Sequence, residues 1–426
     1  MSKIITICLQ YMNYTAVFLG FTRLRIDYDS QKIYESRIID FYVVIANIIT
    51  VVLLPCAHAI SIKYITANFK NNLLAFTDLV NLLIVYTVVV FTVLSRCRRE
   101  RIYMEISQDI FKLDRTYFAK LTMNARIEKQ ADLVILLKMV TTSLELFVPI
   151  FGIFNQAIRV DVYVWMLALY TSLIESILNA VLFLFFYMLW LVRKRMWRLN
   201  ARLKELLHSL QKLHKSAASV LSPNSCTLQQ FSALAAEELR EIKGVHARLS
   251  AMLLRLNSVY RWQIIVVLLT YLINNISYGY YFVVSLSDSI NMPQSVPSII
   301  TSLVASTIVF IDINLLYWGA DATTFACQST RQILRRFQGL PLMSSAFERQ
   351  CESFALQLKQ QNMNINIAGM FSLNRQTSLA LWAFCARHIV ILVQFDFEAR
   401  KNSKGSSGVL EHINQMLRFG DDYIDV

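Results

Sequence analysis

The sequence predicts an all-α polytopic membrane protein: seven transmembrane helices, a cytoplasmic amino terminus, an extracellular carboxy terminus and helical cytoplasmic extensions. Three observations predict it. Seven apolar stretches mostly reach the roughly 20 residues that a helix rising about 1.5 Å per residue needs to cross hydrocarbon. At 55% hydrophobic and 17% charged over 426 residues, the chain has too little polar sequence for a large extramembrane domain. Lys and Arg also crowd onto alternate connections: five in the amino-terminal segment, then nine, twelve and five in the second, fourth and sixth connections, against three in the first, third and fifth together. Positive loops stay cytoplasmic, which puts the amino terminus inside and, after seven crossings, the carboxy terminus outside.

Residues 1–38 form a cytoplasmic segment. It opens like a signal peptide, with Lys3 before apolar Ile4 to Leu9, but Gln10 and Asn13 interrupt the run and no convincing cleavage site follows, so it is expected to be retained. Residues 39–320 hold six spans: Phe41 to Ile60, Leu73 to Leu94, Leu133 to Phe154, Val162 to Val192, Trp262 to Leu286 and Pro297 to Leu316. The fourth is about 46 Å long as a helix, beyond a hydrocarbon core of about 30 Å, and must tilt or continue into the cytosol. Cytoplasmic helical loops are expected at 95–130 and 193–257. In the latter, Leu199, Leu203, Leu206, Leu210 and Leu213 make an apolar helical seam, Ser216 to Thr227 breaks it, and Leu239, Ile242, Leu249, Leu253, Leu256 and Tyr260 resume the register. In the connection 321–366, Ser345 and Glu348 suggest a capping box ahead of a seam of Phe347, Cys351, Phe354 and Leu358. These seams serve packing within one subunit or a hub joining subunits equally well. The last, interrupted span covers 367–397, and the tail 398–426, with Gly, Ser and Lys at its start, is expected to be extracellular, exposed and partly disordered.

No His-Glu-x-x-His, metal-spaced cysteine pair or phosphate-cradling glycine loop occurs, so no catalytic residue, metal ligand or cofactor is assigned and no enzyme is expected. The net charge of +13 suits anionic lipid at the inner face, without nucleic acid as partner. No cysteine lies clearly in an outer loop, so no structural disulfide is expected. The acceptor motifs at Asn13 and Asn275 would lie in the cytosol and within a span, so neither should be glycosylated.

Ionisable residues inside spans are costly and are site candidates by default. They are Asp78, Lys138, Glu145, Glu175, Asp312, Arg387 and His388. Snorkelling is expected of Lys138. Glu145 and Glu175 suit a ligand contact or an interhelical hydrogen bond, and a proton-coupled transporter would need such carboxylates too. Aromatics gather toward the outer span ends. With a few polar groups they would form an outward-opening pocket for a small organic molecule, or the interfacial belt common to membrane proteins. The candidate ligand set is Glu145, Phe147, Phe151, Trp165, Tyr170, Glu175, Tyr278 and Tyr281.

The stretch Gly369-Met-Phe-Ser-Leu-Asn-Arg-Gln-Thr-Ser-Leu, followed by Ala386-Arg387-His388 and Ile389 to Val393 with Gln394 and Phe395, resembles the ending of insect gustatory receptors. That family closes its last span with Thr-Tyr, five apolar residues and Gln-Phe; here Arg387-His388 replaces Thr-Tyr, and the tail runs on past the usual end. The resemblance, bitter rather than sugar type, implies a ligand-gated non-selective cation channel for small-molecule tastants in taste perception. It implies a homo- or hetero-tetramer with related subunits in the plasma membrane of chemosensory neurons, on their dendrites. The pore candidates are Arg387, His388, Ile391, Val393, Gln394 and Phe395, with Gln394 and Phe395 at the outer constriction. A ring of four Arg387 cations would oppose cation flow, so Arg387 faces away from the pore or the subunit works in mixed assemblies. The alternatives are a metabotropic seven-helix receptor, which has the opposite orientation, and a membrane transporter.

Overall fold

The computed structural model describes residues 3–68, 72–121, 125–156, 162–219, 225–286, 296–337, 339–340, 344–361 and 363–421. Ten helices appear among them: α1 (Lys3–Phe18), α2 (Arg37–Asn68), α3 (Asn72–Leu94), α4 (Arg96–Thr116), α5 (Ala125–Gln156), α6 (Val162–Ser219), α7 (Ser225–Leu286), α8 (Val296–Arg335), α9 (Ser345–Gln360) and α10 (Arg375–Asp421). Two small antiparallel hairpins join them, β1 (Arg25–Asp27) with β2 (Lys32–Tyr34), and β3 (Asn366–Ile367) with β4 (Phe371–Ser372). Each expected span falls on its own helix, the last one from Arg375 onward, and among the described residues five helices, α2, α6, α7, α8 and α10, are long and apolar enough to cross a membrane by length and composition.

The centre is built from α5, α6, α7 and α8, with α10 laid against α7 and α8, and α3 and α4 against α7. From Phe185 to Val192 every residue of α6 is buried, the signature of a helix enclosed on all sides. Two glycines permit close helix approaches. A Cβ at Gly319 of α8 would lie 2.5 Å from the Phe186 ring of α6, and one at Gly279 of α7 would collide with Ile389 Cδ1 of α10.

The predicted apolar seams are consumed within the subunit. Leu199, Leu203, Leu206 and Leu210 on α6, the predicted α7 set, and Phe347, Cys351, Phe354 and Leu358 on α9 are all buried, with Leu213 half-buried. Burial pushes the Cys351 thiol up to about 12, so it packs as a neutral apolar group. Arg202 Nε donates to Glu238 at 2.5 Å between α6 and α7, and Lys243 Nζ donates to Ser353 at 2.6 Å between α7 and α9. Intrasubunit packing, not a free hub surface, therefore accounts for the periodicity.

Three boundaries differ from expectation. The cap of α9 is Ser344, one residue earlier than expected, its hydroxyl accepting from the Phe347 N–H at 3.3 Å; Glu348 therefore cannot complete a box. The last span starts at Arg375 rather than Ile367, because Ile367 pairs with Phe371 and the Met370 N–H bonds back to Ile367 across Ala368 and Gly369, whose φ of 50° and 78° make a tight reversed turn. Asn374 then caps α10 by accepting from the Thr377 N–H at 2.8 Å. At its other end α10 stays helical to Asp421, where a partly disordered tail was expected. The residues Val409 to Phe419, including Leu, Glu, Gln, Met and Arg, have the propensity to propagate a helix already nucleated.

Asn13 has a structural role. Its amide donates to the Leu24 carbonyl and accepts from the Ile26 N–H, both at 3.1 Å, fixing α1 to β1.

Candidate ligand site and pore helix

Four of the central helices bring polar side chains together inside the apolar zone. Lys138 of α5 is fully buried in an ion pair with Asp312 of α8, and Thr141 donates to the other Asp312 oxygen at 2.6 Å. Snorkelling is thus overturned for Lys138: with a carboxylate at its own depth, pairing neutralises the charge without reaching for water. Two turns beyond Lys138 on α5, Glu145 is 4% exposed. The Tyr271 hydroxyl of α7 donates to Asn179 Oδ1 of α6 at 2.5 Å and lies 3.4 Å from Glu145 Oε2. Asn275 of α7 donates to the Tyr271 carbonyl at 2.8 Å and accepts from Ser306 of α8 at 3.3 Å. Glu145 Oε1 and Asn179 Nδ2 are buried without a hydrogen-bond partner among the described residues.

Beside this network is a narrow cavity lined by Glu145 and Val148 of α5, Glu175 of α6, Tyr271, Asn274 and Tyr278 of α7, and Ala305, Ile308 and Val309 of α8. Its free volume of about 20 Å³ holds on the order of one water molecule. Its composition, apolar walls with a few convergent polar groups, is that of a small-molecule site, but a larger guest needs its walls to part.

Three of the eight candidates for ligand contact, Glu145, Glu175 and Tyr278, meet at this cavity. Phe147 and Phe151 of α5 and Trp165 of α6 do not: they are 68%, 61% and 56% exposed, on helix faces turned away from the cavity. Trp165 packs edge-on against Phe154 at 4.8 Å, as an interfacial belt residue would. Tyr170 is buried but does not line the cavity. The side chains of Tyr281 and Asp78 lie outside the described residues. Tyr271, Asn274 and the small Ala305 were missed; a Tyr and Asn one turn apart within an apolar stretch was the available signal.

Of the pore candidates on α10, Gln394, Phe395 and Arg387 are exposed, while His388, Ile391 and Val393 are half-buried. The His388 ring bonds its own helix, Nδ1 to the Phe384 carbonyl at 2.9 Å. Leu379, Val390 and Phe395 are 69%, 55% and 60% exposed, so much of an apolar helix stands uncovered on one subunit.

The cavity is wired to that helix by neighbouring residues. Tyr278 lines the cavity and Gly279, next in sequence, abuts Ile389 of α10. Val309 lines it and the next residue, Phe310, meets Trp382 of α10 at 4.5 Å between ring centroids. Nearby, Ser378 donates to Asn314 at 2.7 Å, and Arg375 faces Asp321 at 3.5 Å.

The 7tm Chemosensory receptor family matches residues 9–399. The Drosophila melanogaster chain named gustatory receptor 22c is 22% identical over 403 residues, covering 93% of this chain and 97% of its own length. The Drosophila melanogaster gustatory receptor for bitter taste 22e is 27% identical over 151 residues, 34% of this chain and 36% of that one. Among solved structures, the olfactory receptor OR5 from Machilis hrabei in complex with eugenol superposes with a TM-score of 0.58 at 10% identity, covering 91% of this chain and 97% of that one.

Proposed function

Because the chain belongs to the 7tm chemosensory receptor family, we propose that it is a gustatory receptor whose assembled form is a ligand-gated, non-selective cation channel. A small-molecule tastant enters the cavity among α5, α6, α7 and α8, and α10 lines the pore of a homo- or heterotetramer in the plasma membrane of a chemosensory neuron, on its dendrite. The bitter or aversive class draws support from the likeness to the bitter receptor 22e. The observation that carries the gating reading is the pair of adjacencies Tyr278–Gly279 and Val309–Phe310, in which one residue faces the cavity and the next holds α10.

A guest larger than water must part the cavity walls to enter, and two of the four lining helices, α7 and α8, are those against which α10 rests. If the parted arrangement belongs to the open pore, the ligand binds that state better, and differential binding is what shifts a gate. Moving an equilibrium from 1:99 to 99:1 takes about 5.5 kcal/mol of such preference. At the outer end, four Gln394 amides can replace part of an ion's hydration shell, and Phe395 can close the constriction by dewetting. Exposed Arg387 is free to turn from the axis on assembly.

Whole-cell recording with a tastant panel tests the proposal. Ligand-evoked current should start without guanine nucleotides, Gln394→Ala should alter its cation selectivity, and Glu145→Gln should shift ligand sensitivity with selectivity intact. A response wholly dependent on G proteins would overturn the channel reading.

A further inference from the structure

A second cavity, of about 320 Å³, lies between the β1–β2 loop, α4 and α6, outside the ligand site. Its wall is aromatic: Tyr28 meets Tyr187 edge-on at 5.9 Å, and Tyr187 stacks on Trp190 at 5.8 Å. Its lining also carries four cations, Arg115, Lys194, Arg195 and Arg198, against one carboxylate, Asp114. Arg195 is committed inward: Nε and Nη2 grip Asp114 and Nη1 donates to the Leu191 carbonyl at 2.8 Å. Lys194 reaches Asp132 at 3.5 Å, with its ammonium 5.3 Å above the Trp190 ring. Arg115 is different. One of its nitrogens donates to the Ser30 and Gln31 carbonyls at 3.3 and 3.1 Å, which aims the guanidinium across the mouth, and it meets no carboxylate among the described residues.

The cleft also has a defined height along the bundle. The apolar stretch of α6 ends at Val192 and Arg193-Lys194-Arg195 follows at once, so the Tyr187–Trp190 wall sits at the last turn of hydrocarbon and the cations at headgroup level. We propose that this cleft binds a phosphate-bearing anion, the phosphorylated headgroup of an inner-leaflet lipid. Arg115 and Arg198 meet the phosphate, since a guanidinium fork suits its oxygens, and the aromatic wall covers the polyol ring. The bound headgroup ties the hairpin and α4 to the inner end of α6, the central helix of the fold. The volume falls in the usual range for a small-ligand site, about 300–1,000 Å³. The lipid source rests on the cytoplasmic orientation of this face.

Binding to the purified full-length receptor in detergent, followed by native mass spectrometry, does not depend on that orientation. The probes are a short-chain phosphatidylinositol bisphosphate, soluble inositol trisphosphate and phosphatidylcholine of equal chain length. The phosphoinositide should bind and phosphatidylcholine should not. The pair Arg115→Gln/Arg198→Gln should weaken binding by about 30-fold, as two headgroup-level cations imply, while Arg331→Gln/Arg335→Gln at the exposed inner end of α8 leaves it unchanged. Because Arg115 also holds the hairpin, Arg198→Gln alone is the second reading and should still weaken binding several-fold. Tighter binding of the lipid than of inositol trisphosphate supports a bilayer source, and equal binding supports the same site filled by a soluble phosphate. No phosphoinositide binding, or equal loss in both double variants, overturns the proposal. Accessibility of terminal tags on intact cells reads the orientation separately.

Discussion

Lys138 and Asp312 show what depth in the membrane does to a charged pair. Each ion alone would suffer a desolvation cost of several kcal/mol, and together, with Thr141 on the second carboxylate oxygen, they form a neutral hydrogen-bonded unit joining α5 to α8. Asp312→Ala should therefore destabilise the receptor by about 3–5 kcal/mol, because it strands a buried ammonium. The double variant Lys138→Met/Asp312→Leu should recover most of that loss. Thermal unfolding of the three proteins in detergent checks both outcomes; a double variant no better than Asp312→Ala would mean that the pair is more than charge compensation. The sequence displayed both residues but not their meeting, since 174 positions separate them.

Helix packing turns on whether a side chain fits the space opposite it. Gly319 lets α8 approach Phe186 of α6, which is 1% exposed and has no room to yield. Gly319→Ala should cost about 1–3 kcal/mol by overpacking. Gly244, inside α7 with nothing within 4 Å of its would-be Cβ, is the contrast: Gly244→Ala should stabilise by about 0.5–1 kcal/mol through helix propensity alone. Opposite shifts in unfolding temperature are the expected result. Both glycines look alike in the sequence, each within an unbroken helical pattern, so only the neighbour decides. The seams on α6, α7 and α9 were legible because periodicity survives any partner; the partner itself was not, and it proved to be the same subunit. The aromatic clusters misled for a related reason: Phe147 and Phe151 share the carboxy-terminal half of α5 with Glu145 but lie on another side of the helix.

For the molecule as a whole, orientation and assembly follow from the two least local features. Cations on alternate connections predict that an amino-terminal tag is hidden and a carboxy-terminal tag accessible on intact cells; antibody staining before and after permeabilisation checks it, and the reverse pattern would sink the inverted topology. An apolar α10 covered on one side only gives the subunit a surface suited to a partner copy, consistent with a pore built where several such helices meet. By itself the sequence determined the helical class, the spans and the gathering of cations on alternate connections, because transfer of side chains between water and hydrocarbon is additive and local. It also carried the family resemblance in Ile389 to Phe395. Tertiary structure alone decided that Glu145, Glu175 and Tyr278 share a cavity, that Lys138 is paired, and that the residues next to the cavity wall hold α10, because each of these depends on which faces of distant helices come into contact.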